Sequence, residues 1–121
     1  MNFEELNKHT GNAILPEDVD LTLLDFAPLK DFAGEEFILK GFFFSNGGFG
    51  EQVCLYATTK KYPGGVKINV PKRYVEVFRV ILNDKDAKVQ ILNGKVKIVN
   101  IVKDIKTKNG QPTVAFDFAN C

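Results

Sequence analysis

Residues 37–70 read FILKGFFFSNGGFGEQVCLYATTKKYPGGVKINV, and this stretch decides the fold. Phe37 to Ser45 is rich in aromatic residues and ends at Asn46-Gly47-Gly48. After Gly50, EQVCLYATT resumes with Val53, Leu55 and Ala57 two apart, which places them on one face of a strand. A second turn signal, Tyr62-Pro63-Gly64-Gly65, precedes VKINV, where Val66, Ile68 and Val70 alternate with Lys67 and Asn69. Such runs, bounded by glycine and proline clusters, predict three successive antiparallel strands.

Downstream, Pro71 is a favourable first-turn residue, and Tyr74, Val75, Phe78, Ile81 and Leu82 recur at helical spacing. A helix is therefore expected after the third strand. Residues 87–92 (AKVQIL) and 95–105 (KVKIVNIVKDI) flank Asn93-Gly94, a two-residue hairpin signal. They predict an extra hairpin with Val89 and Ile91 sharing a face with Val96 and Ile98. PTVAFDF, after Asn109-Gly110, predicts the last strand. Upstream, residues 2–9 suggest a short helix stopped by Gly11-Asn12, and Ile14 to Lys30, with Pro16 and Pro28, reads as irregular or extended. The expected fold is mainly β: a five-stranded antiparallel barrel of the OB type with one helix between strands three and four, plus the hairpin.

A chain of 121 residues holds one domain, divided here into an acidic N-terminal segment over 1–24 and a single OB-fold domain over 25–121. The rare residues exclude most enzymes. Ser45 is the one serine and His9 the one histidine, so a Ser-His-acid triad or a Cys-His pair would have to draw on His9 near the N-terminus. No catalytic residue and no cofactor is expected. Cys54 and Cys121 with a single imidazole cannot complete a structural zinc site, so no metal is expected either, and the two thiols read as free in a reducing compartment. The acids Glu17, Asp18 and Asp20 lack the glycine and terminal glutamate of a calcium loop. No window approaches a membrane span, so a cytoplasmic protein without a membrane partner is expected.

The net charge of +1 conceals an asymmetry. Residues 1–36 carry nine acids against two lysines, a charge of −7, and the remaining 85 carry fourteen bases against six acids, a charge of +8. A basic body behind an acidic leader suits a polyanion-binding domain, with a leader that could lie near the groove and compete for it.

The stretch DFAGEEFILKGFFFSNGGFGEQVCLYA, continuing into YPGGVKINVPKRYVEVFRVI, resembles the small single-stranded DNA-binding proteins encoded by phages of Gram-positive bacteria. The resemblance covers residues 25–118 by general pattern. It implies an OB barrel whose groove takes single-stranded DNA during phage replication or recombination. It also implies the host cytoplasm as location and phage or host recombination and replication proteins as partners. The bacterial counterparts end in a glycine-rich linker and an acidic tip, whereas this sequence ends FDFANC, so recruitment through such a tail is not expected.

Binding without sequence preference needs cations along the phosphates and flat side chains on which bases stack. If Phe37, Leu39, Gly41 and Phe43 face inward, strand alternation turns Ile38, Lys40, Phe42 and Phe44 outward. The second strand adds Gln52, Cys54, Tyr56 and Thr58, and the third adds Lys67 and Asn69. The turns contribute Phe49, then Lys60, Lys61 and Tyr62. Lys97, Lys103, Lys106 and Lys108 form a second basic group near the connection between the last strands. The expected single-stranded DNA interface is therefore Lys40, Phe42, Phe44, Phe49, Tyr56, Lys60, Lys61, Tyr62, Lys67, Asn69, Lys106 and Lys108. A homodimer or larger homo-oligomer is expected, because one domain of this size covers few nucleotides. The alternative is a protein-binding β-barrel, a phage adaptor or an inhibitor of a host protein, that uses the phenylalanine-rich face as an apolar patch.

Overall fold

The computed structural model describes residues 13–16, 19–47, 50–106 and 112–121, with the side chains of 46, 47, 104, 106 and 112 excepted. The helix expected over 2–9 lies outside the described residues. Among the described residues six strands form one antiparallel sheet: β1 (Ala13–Ile14), β2 (Phe37–Gly47), β3 (Gly50–Thr58), β4 (Val66–Asn69), β5 (Val96–Lys106) and β6 (Pro112–Asn120). Two helices, α1 (Val75–Leu82) and α2 (Lys85–Leu92), lie between β4 and β5. The sheet order is β4-β3-β2-β5-β6, and β1 pairs with β2 through Ala13 with Phe43 and Ile14 with Phe42. Among the described residues no strand pair joins β4 to β6, so the sheet is not closed into a barrel.

The three strands predicted over 37–70 are present in antiparallel register. The inward set of the first, however, is corrected by a β-bulge. Leu39 pairs with Ala57 and Gly41 with Tyr56, so Lys40 is an extra residue on β2. One inserted residue moves every later side chain to the opposite face. Phe37 and Leu39 are buried before the bulge, and beyond it Phe42 is wholly buried while Phe43 faces the other way. Gly41 sits against the end of β1: a Cβ there would overlap the Ile14 carbonyl and crowd the Leu15 side chain.

The extra hairpin is also corrected. Residues 85–92 form α2, because Asp84 caps its N-terminus, accepting from the backbone N–H of Asp86 at 3.0 Å and of Ala87 at 3.1 Å. Asn93-Gly94 then ends the helix instead of turning a hairpin. Gly94, at φ 70°, donates to Ile91 O, and Lys95 N–H reaches back to Gln90 O, the paired bonds of a Schellman motif. Ile91 is the buried residue of α2, and the helix therefore contributes little to the core compared with α1, where Val75 and Phe78 are buried.

The core lies between the inner face of the sheet and α1. Phe42 meets Phe78 edge-on at 4.9 Å, Phe78 meets Phe118 at 5.6 Å, and Phe32, from the 3-10 turn Leu29–Phe32, meets Phe37 at 5.3 Å. Side chains finish one edge of the sheet and a backbone segment the other. On β6, the Arg73 guanidinium donates to Val114 O at 2.8 Å, and Phe116 N–H donates to the Tyr74 hydroxyl at 3.1 Å. On β4, the segment Asp25–Ala27 adds in parallel: Lys67 N–H donates to Asp25 O and Ala27 N–H to Lys67 O, both at 2.9 Å.

Candidate nucleic-acid interface

The outer face of β2, β3 and β4 carries the site. Register places Tyr56 beside Lys67, and Cys54 between Phe43 on β2 and Asn69 on β4. These residues share a face because each is two positions from the next along its own strand. Tyr56 is half-buried, its ring lying against Gly65 with Leu24 alongside. Lys67 is half-buried with its Nζ 4.1 Å from the centroid of the Phe26 ring, a cation–π contact. Phe26 itself is 60% exposed, so one aromatic face and one cation stand together at the sheet's edge.

Beside this pair, a cleft of about 530 Å³ runs between the segment Phe26–Lys30, the start of β3, the end of β4 and the start of β6. Gln52, Asn69, Pro71 and Thr113 line it, and Lys30 is exposed at it.

The other expected residues are placed differently. Phe42 packs inside the core and has no surface for a base, a correction that follows from the bulge at Lys40. Phe44 is half-buried against the core, with the Arg79 guanidinium 5.2 Å from its ring centroid; Arg79 also pairs with Glu51. Phe43 takes the outward place expected of Phe42. Lys40 is half-buried with its Nζ near Gly94, at the bulge.

Tyr62 packs on the core 6.4 Å from Phe32 and carries Lys61 Nζ 5.6 Å from its ring centroid; Lys61 is exposed. Lys60, also exposed, lines a separate cleft with Glu35, Glu36 and Asn100. In the second basic group, Lys97 is bound to Glu36 at 3.2 Å and Lys103 is exposed. Lys106 ends β5, but its side chain lies outside the described residues, as do Phe49 and Lys108 entirely.

Cys54 lies on the outer face, as strand alternation expects, yet it is buried there at 1% exposure. Burial pushes its thiol up to about 11, against a smaller opposing pull from Lys67 and a backbone hydrogen bond from Ile68. It is therefore a packing residue rather than a nucleophile. Both cysteines are free, and no cluster of metal-ligating side chains occurs among the described residues.

Two participants escaped the sequence reading, Phe26 and Lys30. Pro28 was the available signal, since it holds the residue before it extended and so favours a strand-like approach to β4. Among the described residues no helix is long and apolar enough to cross a membrane. No family model, curated protein or solved structure matches this chain.

Proposed function

We propose that this protein is a non-enzymatic, sequence-tolerant binder of single-stranded DNA, of the OB type, acting in phage replication or recombination. The observation that carries the reading is the grouping of Tyr56, Lys67 and Phe26 on one sheet edge, rings and a cation within reach of one strand. In an OB-fold the face of the second and third strands binds oligonucleotides, and that face corresponds to β3 and β4 here. The chain order supports the assignment too, with three strands, a helical connection and two strands in a partly open sheet. Self-association along a strand remains part of the proposal, as each domain spans few nucleotides.

Titration of the full chain with oligo-dT across a salt series tests it. Single strands should bind tightly at low salt and lose affinity steeply as salt rises, because lysine–phosphate contacts release counterions. Absence of binding at low salt by folded protein rejects the proposal.

One observation favours a second reading, a protein-binding domain. An apolar groove of about 590 Å³ between α1, α2 and β6 is lined by Val77, Val80, Ala87 and Phe118, with no charged side chain in it among the described residues. Tyrosine fluorescence separates the two, since stacked bases quench Tyr56 and a protein seated on that groove does not touch it.

A further inference from the structure

The cleft beside Phe26 is more specific than a stacking platform needs to be. Its size falls within the roughly 300–1,000 Å³ of small-molecule sites. One wall is the exposed ring of Phe26, held in place because its flanking backbone is hydrogen-bonded to both sides of Lys67. Its lining carries two amides, Gln52 and Asn69, on neighbouring strands that Val70 N–H ties together by donating to Val53 O at 3.1 Å. Each amide offers both a donor and an acceptor, the pairing needed to read the edge of a nucleobase. Lys30 lines the cleft and is exposed, and Lys67 stands over the Phe26 ring with its Nζ 4.1 Å from the centroid, two cations for the phosphates that flank that base.

We infer that this cleft takes one nucleobase of a bound single strand, stacked on Phe26 and read along its edge by Gln52 and Asn69. The inference rests on the single-strand reading above and adds a base preference at one position of an otherwise tolerant site. The wall that makes the pocket comes from the segment before β2, so the acidic leader supplies part of the binding surface.

The test uses the full chain and oligonucleotides of about 8 residues, within the range one domain covers. The probes are oligo-dT, oligo-dC, oligo-dA, an abasic strand of equal length and the corresponding mononucleotides. The variants are Phe26→Ala and Asn69→Ala, both at exposed positions, with circular dichroism confirming the fold. Phe26→Ala should weaken base-bearing strands roughly tenfold and leave the abasic strand unchanged. Asn69→Ala should level the differences among the three base-bearing strands.

If the parent protein binds strands but both variants behave like it, the pocket is overturned and the single-strand reading stands. Equal affinity of the parent protein for abasic and base-bearing strands also overturns the pocket. Mononucleotides that bind as tightly as strands overturn the assignment to a strand. Failure of every strand to bind removes both readings together.

Discussion

The ring of Phe42 meets the ring of Phe78 edge-on, 4.9 Å between centroids, where β2 packs on α1. Both are wholly buried. Phe42→Ala should therefore cost about 3–5 kcal/mol of stability through the cavity it leaves. Denaturant unfolding measures the loss. The folded fraction of the variant should bind oligo-dT as the parent protein does, because Phe42 reaches no ligand.

Gly41 lies on β2 against Ile14 and Leu15, at the end of β1. Gly41→Ala should lower stability by about 1–3 kcal/mol, since the new methyl group can be housed only by moving the Ile14 carbonyl. Thermal unfolding reads the shift. Gly64→Ala, with open space around its Cβ position, serves as the control and should change little.

At α2, Asp84→Ala should remove about 0.5–2 kcal/mol by leaving the Asp86 and Ala87 N–H groups without their cap. Gly94→Ala should cost about 1 kcal/mol or more, because φ 70° strains any residue bearing a Cβ. Equilibrium unfolding of each single variant measures these losses.

The Cys54 thiol sets a pH limit. Its folded value is raised from 9.0 to about 11, so the buried thiol stays protonated while the unfolded one ionises. The contribution is fully present below pH 9 and is lost as pH rises from there to about 11. Comparing unfolding midpoints of the parent protein and Cys54→Ala across that window should show the parent declining more steeply. A thiol reagent at pH 8 should label exposed Cys121 quickly and Cys54 only on unfolding.

In the proposed interface, charge and stacking separate by salt. Lys67→Gln should weaken all sequences alike and reduce the salt slope by about 0.7. Tyr56→Ala should cost about 1–3 kcal/mol of binding with the slope unchanged. Lys60→Gln should alter neither, as Lys60 faces Glu35 and Glu36 in another cleft. Binding isotherms at several salt concentrations distinguish the three.

The strands over 37–70 were legible because apolar alternation and glycine turns agree there, and α1 because Tyr74, Val75, Phe78, Ile81 and Leu82 repeat at helical spacing. The bulge at Lys40 left no local signal, and the strand packed against the neighbouring Gly41 is β1, 27 residues away in the chain. That one inserted residue exchanged Phe42 for Phe43 on the outer face. The stretch 87–92 misled because a two-turn helix with one buried residue also fits a short strand, and Asn-Gly serves both a hairpin and a helix end. The N-cap at Asp84 was the signal that outweighed both. Tyr56, Lys67 and Asn69 were placed correctly on one face, since β3 and β4 pair without a register shift.

The two finished edges join residues far apart along the chain, Phe26 to Lys67 and Tyr74 to Phe116. The hairpin of β2 and β3 forms from neighbours, whereas each edge must first close a loop of about forty residues at an entropic cost. The edges therefore assemble after that hairpin, by the same ordering that makes long-range pairings slow. A newly made chain consequently completes its β4 edge only after β4 itself has emerged. The wall of the cleft and the finished edge then appear in a single folding event.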